Sequence, residues 1–134
     1  MKRWALIVDD DPAMIVMLTT LLQAHRYNVI AAENAATALS LVQVPEYSFS
    51  LLVTDFQMPG RTGVELIREV LKLKVPPPPI ILLTGMDLDI APIQELRAEV
   101  EGGHDVSFAS KNTAIRALAK VIGELANKSE RSAP

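Results

Sequence analysis

Four apolar runs, each broken by polar residues, set out the chain. Trp4-Ala5-Leu6-Ile7-Val8 stops at Asp9-Asp10-Asp11-Pro12, and Leu51-Leu52-Val53-Thr54 stops at Asp55. Ile80-Ile81-Leu82-Leu83 stops at Thr84-Gly85, and Val106-Ser107-Phe108-Ala109 stops at Ser110-Lys111. Short continuous apolar runs bounded by turn formers read as strands buried on both faces, the pattern of a parallel sheet. A weaker strand, Asn28-Val29-Ile30-Ala31-Ala32, falls between the first two.

Between the strands the apolar period changes to that of helices. Met14, Met17, Leu18, Leu21 and Leu22 form one such stripe, Ala35, Ala38, Leu39 and Val42 a second, and Val64, Ile67, Val70 and Leu71 a third. Ile93, Leu96 and Val100 mark a fourth, and Ile115, Leu118, Ala119, Ile122 and Leu125 a fifth. Pro12 suits the first turn of helix one, with Asp10 or Asp11 as its cap. Asp89 is expected to cap helix four, with Pro92 in its first turn and Gly102-Gly103 as its stop. The tetrad Pro76 to Pro79 is neither helix nor central strand, so it reads as a stiff extended connector. Strand and helix alternate five times, which predicts an α/β fold: a doubly wound parallel sheet of five strands, covered on both faces by right-handed crossovers.

Composition narrows the class. With 134 residues, 49% of them apolar and 22% charged, the chain fits one ordinary globular domain. Its formal charge of −3 supplies no basic field for nucleic acid. No apolar run has the length of a membrane span, and a cytoplasmic domain is the expectation. Cysteine is absent, which excludes disulfide, thiol and zinc-thiolate chemistry.

The candidate chemistry sits at the strand exits: Asp9 and Asp10, Asp55, Thr84, and Lys111 just beyond the last strand. In a parallel sheet these ends share one edge, where open α/β sheets place their ligands. Clustered carboxylates repel one another unless a cation neutralises them, and Mg²⁺ suits a few oxygen ligands with waters and a phosphate oxygen. Lys111 adds a cationic donor and Thr84 a hydroxyl. Together they point to a phosphoryl group handled through metal, with Asp55 as nucleophile. Alone, each residue has a plainer reading: the acidic run as a helix cap, Thr84 as a strand-end hydroxyl, Lys111 as a solvated cation, Phe108 as a core aromatic. His25 and His104 lack companions at metal or catalytic spacing and are assigned no role.

Taken as a set, Val8-Asp9-Asp10-Asp11-Pro12, Asp55-Phe56-Gln57-Met58-Pro59-Gly60-Arg61-Thr62-Gly63, Leu83-Thr84-Gly85 and Phe108-Ala109-Ser110-Lys111 closely resemble the receiver domain of two-component response regulators. The resemblance runs over nearly the whole chain. It implies a CheY-like, flavodoxin-like sheet in the order 2-1-3-4-5 with five helices, the domain spanning 1–126 and a polar tail or linker stub 127–134. It further implies that Asp55 accepts a phosphoryl group from the phosphohistidine of a sensor histidine kinase or phosphotransfer protein. Mg²⁺ would be held by Asp9, Asp10, Asp55 and the backbone carbonyl of Gln57. Lys111 would contact the acyl phosphate, and Thr84 would swing toward it, letting Phe108 pack inward as a switch aromatic. Gln57 and Met86 stand at positions that tune the phosphoryl lifetime. Output would pass through the face of helix four, strand five and helix five to an output domain or partner, with a homodimer as one possible form. Such a domain is a phosphoacceptor with at most slow autodephosphorylation, not a turnover enzyme.

Two departures from the family pattern stand out. Asn112 follows the lysine where the family usually has a cis-linked proline; a cis bond before a non-proline residue costs about 2.5–4 kcal/mol, so a trans peptide is expected. The interval from Thr84 to Lys111 is 27 residues, a few more than usual, with the surplus near helix four. These departures keep open an alternative, a pseudo-receiver that binds partners without cycling phosphate. An aspartyl phosphohydrolase ranks below both, because Gln57 stands where that class carries a second Asp.

Overall fold

The computed structural model describes residues 3–85, 87–111, 119–120 and 122–124. Every apolar run forms a strand: β1 (Arg3–Val8), β2 (Tyr27–Ala32), β3 (Leu51–Asp55), β4 (Ile80–Thr84) and β5 (Val106–Ser110). Helices α1 (Pro12–Ala24), α2 (Ala35–Val42), α3 (Gly63–Lys72) and α4 (Ala91–Val100) alternate with them. Residues 119–120 and 122–124 are helical and belong to the fifth helix. All strand pairs are parallel, in the order β2-β1-β3-β4-β5. Expectations for Met86, Asn112, Ile115, Leu118, Leu125 and the tail 127–134 lie outside the described residues.

The continuous apolar runs are explained by burial on both sides. In β1, β3 and β4 alternate residues point to opposite faces. Leu6, Val8, Leu52, Ile80 and Leu82 join the core beneath α2, α3 and α4. Ala5, Ile7, Leu51, Val53, Ile81 and Leu83 join the opposite core with Leu18 and Leu22 of α1 and Ile122. Each fully buried Leu or Ile stabilises the fold by about 1.5–3 kcal/mol relative to exposure. The edge strand β5 is only half-buried along its length.

Local chemistry sets the helix ends. Asp11 caps α1, its Oδ1 accepting the Ala13 N–H at 3.0 Å. Asn34 caps α2 through the Thr37 N–H at 2.8 Å. Thr62 and Glu65 form a reciprocal capping box at the start of α3, at 3.1 and 3.2 Å. The expected Asp89 cap of α4 is not formed. The cap position is Ile90, without a side-chain bond to the helix backbone, and Asp89 Oδ1 instead accepts from Gln94 Nε2 at 3.1 Å. Pro92 removes one first-turn donor, which leaves less for a cap to satisfy. The proline tetrad leads straight into the sheet, the Pro79 carbonyl accepting the Leu52 N–H at 2.9 Å.

Candidate functional site

The carboxyl ends of β1, β3, β4 and β5 bring the expected residues to one edge. Asp9 and Asp55 are buried, 1% and 7% exposed, while Asp10 lies at the surface. One carboxylate oxygen from each of Asp9, Asp10 and Asp55 lies within 4.8 Å of the others. Lys111 reaches back over this group. Its Nζ is 3.1 Å from Asp55 Oδ1 and 3.2 Å from Asp9 Oδ2. The other Asp9 oxygen accepts the Asp11 N–H at 2.9 Å, which turns the chain out of β1 and into α1.

Backbone bonds hold these side chains in register. The Phe56 N–H donates to the Leu83 carbonyl at 2.8 Å, and the Lys111 N–H to the Thr84 carbonyl at 2.7 Å. The second bond fixes where the Lys111 side chain begins. Thr84 is buried at the end of β4, one residue beyond Leu83, the cross-strand partner of Asp55. Gln57 is exposed, and its backbone N–H donates to the Asp55 carboxylate. Phe108 is half-buried against the α4-side core, with the Arg97 guanidinium carbon 5.0 Å from its ring centroid.

The loop after Asp55 explains the turn residues. Gly60 adopts φ +89°, a left-handed conformation that glycine enters without Cβ strain. Gly63 opens α3 directly against the site, its N–H donating to the Phe56 carbonyl at 2.7 Å. A Cβ there would collide with the Asp55 carbonyl oxygen and stand 2.8 Å from Leu82 Cδ1. Gly63 therefore lets α3 start in contact with the end of β3.

The electrostatics follow from burial. Asp55 is pushed above the ordinary carboxylate range, first by desolvation and then by the Asp9 charge; the Lys111 ammonium and the Gln57 N–H pull the other way and do not fully offset this. For Lys111, desolvation is the largest single influence and favours the neutral amine. The hydrogen bonds and charges of Asp55 and Asp9 together outweigh it, and the ammonium is stabilised. Among the described residues, three ionised carboxylates against one ammonium would leave two negative charges. That surplus and the all-oxygen donors suit one hard divalent cation.

Sequence reasoning named Asp9, Asp10, Asp55, Thr84, Lys111 and Phe108, and did not single out Arg97 or the contact of Gly63 with Asp55. The Pro59-Gly60 turn with a second glycine three residues on was a signal for Gly63. Arg97 carries none, since its ring partner lies on the next strand.

A family model described as the response regulator receiver domain matches residues 5–122. The chain belongs to that family, whose members are the phosphorelay receivers of two-component signalling. It is 35% identical over 121 residues to the sensor histidine kinase GacS of Pseudomonas protegens, covering 87% of this chain and 12% of that protein. It is 33% identical over 84 residues to the CpxR homolog of Haemophilus influenzae, a transcriptional regulatory protein, covering 63% of this chain and 36% of the relative. Among solved structures, a CheY-like receiver domain protein from Methanospirillum hungatei JF-1 superimposes with a TM-score of 0.80 at 26% identity, covering 99% of this chain and 100% of that one. The chain spans between 11% and 36% of the length of the first curated relatives.

Proposed function

We propose that Asp55 is the phosphoacceptor of this receiver domain and takes its phosphoryl group from a phosphohistidine on a sensor histidine kinase or phosphotransfer protein. The observation that carries this reading is the convergence of three carboxylates and the Lys111 ammonium at one sheet edge. Asp55 Oδ attacks phosphorus, the P–O bond forms as the P–N bond of the donor breaks, and the donor imidazole leaves. Asp9, Asp10, Asp55 and the Gln57 carbonyl are the groups that would hold Mg²⁺, which when bound supplies positive charge to the phosphoryl oxygens. Lys111, already paired to Asp55, is placed to follow the same oxygens. Gln57, exposed beside the nucleophile, and Met86 are assigned the tuning of phosphoryl lifetime.

Phosphorylation adds roughly −1.5 to −2 charge and new acceptor oxygens at Asp55. In that state Thr84 and Lys111 gain the phosphoryl oxygens as additional acceptors, which biases Phe108 inward and alters the face of α4, β5 and the fifth helix. An output domain or partner protein reads that face. The domain itself turns over no substrate beyond slow loss of its own phosphoryl group. Among the described residues no helix is long and apolar enough to cross a membrane, and we place the domain in the cytoplasm with its kinase's catalytic portion.

Incubation with Mg²⁺ and acetyl phosphate, or with beryllofluoride, tests the reading by mass spectrometry and calorimetry beside Asp55→Asn. A single modification that the variant lacks is expected. Absence of both modification and beryllofluoride binding would make the protein a pseudo-receiver, and multiple turnover of phosphate esters would make it a hydrolase.

A further inference from the structure

Phe108 is held from outside the site. The guanidinium of Arg97, an exposed residue of α4, lies over the Phe108 ring at 5.0 Å from its centroid, within cation–π range. Two neighbours of Arg97 on α4, Leu96 and Val100, are buried, so the backbone that carries the guanidinium is anchored in the core. On its outer side α4 is tied to α3 by a two-pronged pair, Arg68 Nε and Nη2 donating to the two Glu99 oxygens at 2.9 and 2.8 Å. Arg97 thus projects from a fixed post onto an edge strand that is only half-buried.

The register connects this contact to the site. Phe108 pairs with Leu82, and Ser110 with Thr84. The two-residue period of strands then sets Thr84 and Phe108 on the same sheet face, as diagonal neighbours across β4 and β5. Beside the ring runs a groove of about 540 Å³, lined by Arg97, Val106, Phe108, Glu101 and His104 among others. The ring therefore packs in part against the α4-side core, with a cation over it and the groove beside it.

We propose that Arg97 is a positioning residue for the switch ring: its cation–π contact latches Phe108 outward in the unphosphorylated domain and must break when the ring turns in toward Thr84. This rests on Phe108 acting as the switch aromatic and adds what sets its resting equilibrium. The latch weights the outward state by about two- to five-fold, the range for an exposed cation–π contact. A ligand that favours the inward state must overcome that weight, so its apparent affinity falls by the same factor.

The test uses the full chain labelled with 4-fluorophenylalanine. Its three phenylalanines, Phe49, Phe56 and Phe108, give three ¹⁹F resonances, assigned with Phe49→Leu and Phe108→Leu. Wild type, Arg97→Gln and Arg97→Lys are titrated with beryllofluoride in Mg²⁺, with ring position followed by NMR and affinity by calorimetry. Arg97→Gln is expected to shift the free-state Phe108 resonance part of the way to its beryllofluoride position and to tighten beryllofluoride binding about two- to five-fold. Arg97→Lys, which keeps a cation, falls between. If the wild-type resonance follows the ligand but Arg97→Gln alters neither the free-state position nor the affinity, the latch is wrong and the switch reading stands. If beryllofluoride binds wild type and the Phe108 resonance does not respond, both are wrong.

Discussion

Lys111 Nζ sits 3.1 Å from Asp55 Oδ1, and the same ammonium is 3.2 Å from Asp9 Oδ2. One cation from the end of β5 thereby holds together two carboxylates from the ends of β1 and β3. Lys111→Met should leave both acids buried without that partner. Losing one side of a fully buried pair costs about 3–5 kcal/mol, and the partial solvent contact of this ammonium places the loss below that range. Urea denaturation in EDTA measures it, and added Mg²⁺ should shrink the difference from wild type.

The metal-free protein should lose stability as the pH rises from acid. Asp55 in the fold holds its proton above the ordinary carboxylate range because it is desolvated and faces Asp9. The folded state then binds more protons than the unfolded state between the two pKa values, and stability falls with pH across that window. Asp55→Asn cannot titrate, so it should remove this slope and raise the neutral-pH melting temperature in EDTA. Thermal melts across pH 4–7 check both; an unchanged slope in the variant would assign it to another group.

Asp10 is exposed where Asp9 is buried, so its proposed part in holding Mg²⁺ can be tested apart from folding. Asp10→Asn should weaken Mg²⁺ by about tenfold or more, since even groups one step removed from a metal are worth 10–100-fold. Its denaturation midpoint in EDTA should match or exceed that of wild type, because one repelling charge is gone. Calorimetric Mg²⁺ titration beside urea melts provides the comparison.

Gly63→Ala should destabilise the fold by about 1–3 kcal/mol, the usual cost of forcing atoms into a packed site. The added methyl meets the Asp55 carbonyl oxygen and Leu82 Cδ1, and the Asp55 backbone cannot yield as a side-chain end can. Gly60→Ala carries a different penalty, because its φ of +89° is unfavourable for a residue with a Cβ while the space around it is open. The two variants, compared by urea denaturation and beryllofluoride affinity, should differ in the second readout: Gly63→Ala displaces Asp55 and Gly60→Ala does not.

Most of the architecture was legible because burial and helical period are written locally. The runs ending at Val8, Thr54 and Leu83 could only be strands covered on both faces, and the alternation with amphipathic helices left a parallel sheet as the economical solution. Helix ends were less legible. Asp11 and the Thr62–Glu65 box cap as their residue types suggest, but Asp89 lost the cap position to Ile90 and turned to the Gln94 side chain. A carboxylate competes for several nearby donors, and small differences in loop geometry decide among them.

The sequence by itself determined that Asp9, Asp10, Asp55, Thr84 and Lys111 would share one edge, because strand direction in a parallel sheet sends every carboxyl end the same way. Only the tertiary structure decided how they meet there. It placed Lys111 between Asp9 and Asp55, buried Asp9 while leaving Asp10 outside, brought Gly63 against the Asp55 carbonyl and set Arg97 over Phe108. These relations join residues far apart in the chain or on different elements, and they depend on distances of a few ångströms that local pattern does not encode.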